Sequence, residues 1–238
     1  MQQSRKSKEN IALMFDQIAE EYDATGHLLS LGIDRIWRKR IRKIIAGKHP
    51  SPMQILDLAV GTGDLSLVLS NIPHSTIVGL DISEKMLECA RQKIEKRKVG
   101  NIRLMQADAL QIPFPDGTFD VVTVAFGIRN YEDFSAGIRE IHRVLKPNGR
   151  YYILELTRPK AIIRPFYLLY LRWVLPAIGS LLTRRKNAYT YLKDSICDFE
   201  QDDVLNSRFL DAGFRDSSYR HWSLGIATLY SGQKKSEK

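Results

Sequence analysis

Only two cysteines, Cys89 and Cys197, occur in the 238 residues, far apart and without a CxxC pair. This argues against a disulfide-stapled secreted framework and gives no support to a cysteine-based zinc or redox site. No apolar run reads as a membrane span, because the longest, 161–182, is broken by Arg164, Pro165, Arg172 and Pro176. The first ten residues, MQQSRKSKEN, are polar and charged with no apolar core behind them, so no signal peptide and a cytoplasmic location are expected. Internal repeats and low-complexity blocks are also missing. Acidic residues are short: 27 against 36 Lys and Arg, a net charge of +9. A soluble, lysine-rich surface accounts for that surplus. Attraction to nucleic acid or to anionic lipid headgroups is the sharper reading. No nucleic-acid motif accompanies the charge, so an RNA-binding or scaffold protein stays only as the alternative of another class.

What is present is the composition of a globular chain, with 44% apolar and 26% charged residues. Residues 9–24 place Ile11, Met14, Phe15, Ile18 and Ala19 at helical spacing, and 34–46 form a second, strongly basic amphipathic helix. From residue 54 short apolar runs alternate with helical segments. Strands are expected at 54–60, 76–80, 101–106, 119–126 and 151–156. Between them lie a helix from Glu84 to about Arg97, capped by Ser83, and another at 133–146. This rhythm predicts an α/β fold with a seven-stranded, mostly parallel, doubly wound sheet, its last strands near 214–222 and 225–231 after a helix at 202–212. Residues 1–50 read as an N-terminal helical cap, and 51–232 as the main domain with an apolar helical insertion at 158–186. A basic tail follows at 233–238.

The sharpest local feature is Asp57-Leu58-Ala59-Val60-Gly61-Thr62-Gly63-Asp64, directly after a strand. Gly61 and Gly63 permit a tight turn and close approach of a ligand. Ser66 stands where a third glycine would complete GxGxxG, and no P-loop lysine follows, so dinucleotide and nucleotide-triphosphate readings weaken. Asp81 closes the next strand, where a carboxylate can accept both ribose hydroxyls, and Asp108-Ala109 closes the third, where an adenine edge can be read. A nucleoside without pyrophosphate fits such a set, and S-adenosylmethionine (SAM) is one.

Further motifs make the chain familiar: Phe15-Asp16 with Tyr22-Asp23, Leu29-Ser30-x-Gly32 with Trp37-Arg38, Phe126-Gly127-x-Arg129-Asn130, and Tyr189-x-Tyr191-Leu192-x-x-Ser195-Ile196. With these the sequence, from about residue 10 to 232, resembles the ubiquinone/menaquinone biosynthesis C-methyltransferases, class I SAM-dependent enzymes that methylate the ring of a polyprenylated quinol. The resemblance implies SAM as methyl donor, no metal, and a demethylmenaquinol acceptor, with the ubiquinone precursor or another lipophilic acceptor as the alternative. It implies SAM contacts at Thr62, Asp81, Asp108 and Ala109. Gly61 and Gly63 form the turn, Asp64 is placed to face the donor's amino group, and Asp57 organises the loop. Ala125 stands where the family commonly has a serine that contacts the cofactor, and Gly26 where it usually has asparagine.

Arg129 and Asn130 follow the fourth strand and are expected near the methyl, Arg129 stabilising a phenolate and Tyr22 orienting the quinol hydroxyl. A helix-capping salt bridge is the other role open to Arg129. His27 and His221 are candidates for the proton, whereas His142 reads as structural. The apolar insertion and the basic helix at 34–46 are expected to wall the prenyl tail and to approach a membrane, a homodimer interface being the other use of the insertion. Nucleic acid is not expected as a partner.

Overall fold

The computed structural model describes residues 7–49, 51–159, 163–174 and 186–236. Seven strands form one sheet: β1 (Met53–Leu58), β2 (Ser75–Asp81), β3 (Ile102–Gln106), β4 (Phe119–Ala125), β5 (Leu145–Leu156), β6 (Phe214–Trp222) and β7 (Ala227–Lys234). Their order is β3-β2-β1-β4-β5-β7-β6, parallel except for β7, which runs antiparallel to both β5 and β6. From β1 the chain winds outward to β2 and β3 on one side and returns to β4 and β5 on the other. The crevice at the carboxyl ends of β1 and β4 is therefore the switch point where such sheets bind ligands.

Two long helices precede the sheet, α1 (Lys8–Leu29) and α2 (Ile33–Lys48). α2 packs Trp37, Ile41 and Ile45, all 4% exposed or less, against Tyr152, Leu154 and Trp222. Each such burial contributes roughly 1.5–3 kcal/mol. The helices α3 (Asp64–Leu69), α4 (Glu84–Lys96) and α5 (Phe134–Val144) link the parallel strands. Ser83 caps α4 as the sequence predicts, accepting a hydrogen bond from the Met86 amide at 3.2 Å. Beyond β5 come α6 (Arg164–Leu169), a π-helical turn at Tyr170–Val174, α7 (Lys186–Asp198) and α8 (Asp203–Asp211). The remainder of the expected insertion, including Arg184 and Arg185, lies outside the described residues.

Several boundaries move for local reasons. β1 stops at Leu58 and β4 at Ala125 because Ala59 and Phe126 turn left-handed, at φ 51° and 62°. The short helix α3 was not expected, since its six residues, DLSLVL, are too few to show an amphipathic period. β7 runs into the expected tail: the Lys234 ammonium donates to the Leu145 carbonyl at 2.9 Å and is buried. Leu31 and Leu224 also hold left-handed backbones, at φ 50° and 61°, and both project into solvent. Each costs about 1–2 kcal/mol relative to an ordinary helical conformation.

Candidate active site

The turn after β1 is built from left-handed residues: Ala59, Gly61 at φ 55° and Gly63 at φ 83°. A methyl group added to Gly63 would meet Ala90 of α4 at 3.2 Å, and one added to Gly127 would sit 2.4 Å from the Ala59 Cβ. Glycine at 127 thus lets the turns after β1 and β4 touch, and together they floor a cleft enclosing about 760 Å³. Gly61, Asp81, Asp108, Ala109, Ala125 and Asn130 line it, and Phe15 and Tyr22 of α1 cover it.

Asp81 accepts hydrogen bonds from the Gly61 amide at 2.7 Å and the Ser83 amide at 2.9 Å. Its burial outweighs those bonds and pushes its carboxyl up to about 6. The Tyr131 hydroxyl is buried at the same cleft with no hydrogen-bond partner, and its ring packs over Gly137. Burial first, then the carboxylates of Asp81 and Asp108, hold that phenol well above its ordinary value, so it is a donor awaiting an acceptor.

Four of the expected cofactor residues lie elsewhere. Asp57 sits beneath the turn at 1% exposure and accepts from the hydroxyls of Ser66 at 2.6 Å and Thr123 at 2.8 Å. It braces β1 against α3 and β4 through those hydroxyls and the Ser66 backbone amide. Gly63 faces α4. Thr62 and Asp64 turn away from the cleft toward Lys93, whose ammonium bridges Thr62 at 2.9 Å, Asp64 at 2.6 Å and Asp23 at 2.5 Å. The physical reason is α1: it runs past the turn and delivers Asp23, which also accepts from the Thr62 hydroxyl at 2.5 Å. No local pattern around Thr62 or Asp64 announces partners 29 to 39 residues distant along the chain.

A second cavity, about 1260 Å³, adjoins the first and shares Phe15, Tyr22 and Phe126 with it as a common wall. One side is apolar and aromatic, with Ile18, Leu156, Ile196, Ile226, Tyr167 and Tyr170. The other is polar. His27 Nδ1 lies 2.8 Å from Asp34 and its Nε2 3.3 Å from Asp64, while Arg38 pairs with Asp34. Burial works to raise the Asp34 carboxyl, but the Ser30 hydroxyl and the Arg38 guanidinium outweigh it and hold it below the ordinary value. These carboxylates already have cationic and hydroxyl partners. His221 does not belong here: it stands on β6, bonded to Thr228 at 3.0 Å. His142 packs edge-on against Phe214, a structural position as expected.

Arg129 lines the second cavity yet is 5% exposed. Its guanidinium donates to Glu155 at 2.5 Å, to the Phe126 carbonyl at 2.6 Å and to Ser195 of α7 at 3.3 Å. Beside it the Tyr191 hydroxyl donates to Asn130 at 2.9 Å. The FGxRN and YxYLxxSI motifs are thus two halves of one polar lock that fastens α7 over the end of β4. Glu155, fully buried at the end of β5, was not singled out in the sequence. A lone acid inside the apolar strand YYILEL was the signal available for it.

Comparison with known proteins places this arrangement. The sequence profile of the ubiE/COQ5 methyltransferase family matches residues 1–234. A demethylmenaquinone methyltransferase of Bacteroides fragilis is 40% identical over 233 residues, covering 96% of this chain and 94% of the relative. A ubiquinone/menaquinone biosynthesis C-methyltransferase of Geotalea daltonii is 42% identical over 231 residues, covering 95% and 97%. Among solved structures, a SAM-dependent methyltransferase from Thermotoga maritima superposes with a TM-score of 0.67 at 18% identity, covering 94% of this chain and 99% of that one. A Haemonchus contortus phosphoethanolamine N-methyltransferase in complex with SAM gives 0.63 at 15% identity, covering 83% and 52%. At these identities the structural likeness speaks for the fold alone.

Proposed function

The chain belongs to the ubiE/COQ5 methyltransferase family, and from that premise we propose that it transfers a methyl group from SAM to a ring carbon of demethylmenaquinol. The observation that carries this reading is the pair of adjoining cavities: a cleft suited to a nucleoside, and a larger, mainly apolar chamber behind the shared wall of Phe15, Tyr22 and Phe126. The cleft fits SAM on its own chemistry. Asp81 offers an acceptor for ribose hydroxyls, Asp108 and the Ala109 backbone an edge for the base, and the unpartnered Tyr131 hydroxyl a donor. Gly61, Ala125 and Asn130 complete the residues that would hold it.

When bound, SAM supplies an electrophilic sulfonium methyl, so the chain must position the quinol, exclude water and accept one proton. Tyr22, its phenol raised by burial, stays protonated and orients a quinol hydroxyl from the shared wall. The Arg129 guanidinium, fixed by Glu155, faces the same chamber and offsets negative charge developing on the quinol oxygen. Alignment of this kind contributes several kcal/mol of barrier reduction. Of the histidines named as candidates for the proton, His27 lines the chamber, with its ring nitrogens already facing Asp34 at 2.8 Å and Asp64 at 3.3 Å.

Tyr131→Phe provides a check on the cofactor assignment. Removing an unpartnered buried hydroxyl should leave the unliganded protein as stable or more so, while weakening SAM binding by about five- to tenfold. Thermal unfolding with and without SAM reads both effects, and opposite signs are expected.

The acceptor is tested by transfer of labelled methyl from SAM to chemically reduced demethylmenaquinone, with the oxidised quinone and a ubiquinone-type precursor alongside. One C-methylated product from the reduced naphthoquinol alone is the expected result. SAM binding without any methylated quinol would move the enzyme to another acceptor. The ubiquinone precursor is the second reading, because relatives of similar identity carry both names. Peripheral contact with a membrane belongs to this proposal, since the acceptor is a lipid. No helix among the described residues is long and apolar enough to cross a membrane.

A further inference from the structure

Two guanidiniums line the second cavity, Arg129 and Arg38. Arg129 is locked from the α7 side by Glu155, the Phe126 carbonyl and Ser195. Arg38 enters from α2 and is far less engaged. Its Nη1 pairs with Asp34, but Nη2 reaches Asp64 only at 4.0 Å, and the buried Nε has no hydrogen-bond partner. Asp64 is held instead by the Lys93 ammonium at 2.6 Å, so its claim on Arg38 is weak. A guanidinium carries five N–H donors in a rigid fork and accepts nothing. Most of that donor capacity is unused here, beside a mainly apolar chamber where an unmet donor is costly.

Phe126 fixes both cations. Its carbonyl accepts from Arg129 at 2.6 Å, and the Arg38 guanidinium lies 5.4 Å over its ring. That ring belongs to the wall shared with the cofactor cleft. Tyr22, in the same wall, feels both: burial raises its phenol, and Arg129 and then Arg38 oppose the rise. The two cations thus flank the place where an acceptor ring meets the methyl. A quinol has two hydroxyls at opposite ends of its ring. The one beside the reacting carbon feeds electrons into it, and Tyr22 and Arg129 face that oxygen. The other is meta to the reacting carbon and adds little to its nucleophilicity, yet it still needs a polar partner once buried.

We propose that Arg38 is the second anchor of the acceptor, donating from its Nη2 edge to the hydroxyl remote from the reacting carbon. The ring is then held at both ends, and one of its carbons is presented to the methyl. The inference rests on the quinol reading of the second cavity. It makes Arg38 a specificity residue, because a site that hydrogen-bonds a hydroxyl rejects the analogue lacking it.

The test compares two short-tailed acceptors on the full chain without oxygen, a 2-alkyl-1,4-naphthalenediol and a 3-alkyl-1-naphthol. The second keeps the hydroxyl beside the reacting carbon and lacks the remote one. The unmodified protein should favour the diol by about 10- to 100-fold in kcat/KM. Arg38→Lys keeps a charge opposite Asp34 but not the fork, so the thermal midpoint should hold while that ratio falls about tenfold or more. Arg38→Gln should lower the ratio likewise, at some cost in stability. Equal losses on both acceptors, with the ratio intact, would make Arg38 a structural partner of Asp34 and overturn the proposal. So would an unmodified protein that does not distinguish the two acceptors. Binding gives an independent arm: calorimetric titration of each acceptor with S-adenosylhomocysteine present should show the same preference, and its loss in Arg38→Lys. If no quinol is methylated while that preference responds as described, the acceptor chemistry fails and the anchor stands. If the preference in binding is absent, the anchor fails whether or not methyl is transferred.

Discussion

Arg129→Ala is expected to destabilise the protein by about 3–5 kcal/mol, because it strands the fully buried Glu155 carboxylate without its cation. In a chain of this size that is roughly 10 °C in Tm. The same change unfastens α7, since the guanidinium also donates to Ser195. Glu155→Gln should be nearly as costly, and the two should fall well short of adding, because they remove one interaction. Arg129→Met together with Glu155→Leu replaces the pair by apolar groups and should recover much of the stability. Activity separates the two roles. If Arg129 also offsets charge on the quinol, the refolded double variant stays strongly impaired in turnover while still binding SAM. Urea denaturation and single-turnover methyl transfer decide between them, and near-native turnover in the double variant would reduce Arg129 to a structural residue.

SAM affinity should depend on pH through Asp81. The carboxylate form accepts hydroxyl donors, and burial has moved its titration to about 6. Above that pH the group is ionised and affinity should be flat, whereas below it each unit should cost about tenfold in Kd. Asp81→Asn should weaken binding at neutral pH by roughly 10- to 100-fold and abolish this dependence. Stability of the unliganded protein runs the other way. A carboxyl raised in the folded state binds its proton more tightly there than in the unfolded chain. Its contribution therefore declines as pH rises from about 4 to about 6 and is constant above. Asp57, likewise raised to about 6 by burial, adds to that decline but should leave SAM affinity untouched. Calorimetric titration across pH 5–8 on Asp81→Asn and Asp57→Asn distinguishes the two carboxyls, and equal responses would refute their separate assignments.

Much of the architecture was legible because the parallel strands β1, β2, β4 and β5 are largely buried on both faces and announce themselves as short apolar runs. The order of strand, turn and amphipathic helix then admits few topologies. The lining of the cleft at the switch point was legible in part for the same reason. Asp81, Asp108 and Ala109 end successive strands, and strand ends converge by rule in a doubly wound sheet. The partners of Thr62 and Asp64 were not legible, because Asp23 and Lys93 belong to α1 and α4. Glu155 was passed over since a single carboxyl in an apolar strand has no meaning until its cation is found on another element.

The sequence by itself determined the sheet, the glycine turn and the family, because these depend on local backbone geometry and on residues close together in the chain. Only the tertiary structure decided which polar groups face a ligand and which face each other. That choice depends on how α1 and α7 lie across the sheet, and hydrogen bonds between distant segments leave no period in the sequence. Arg129 shows the difference: one motif residue, exposed enough to line a cavity, and held there by a buried acid 26 residues along the chain.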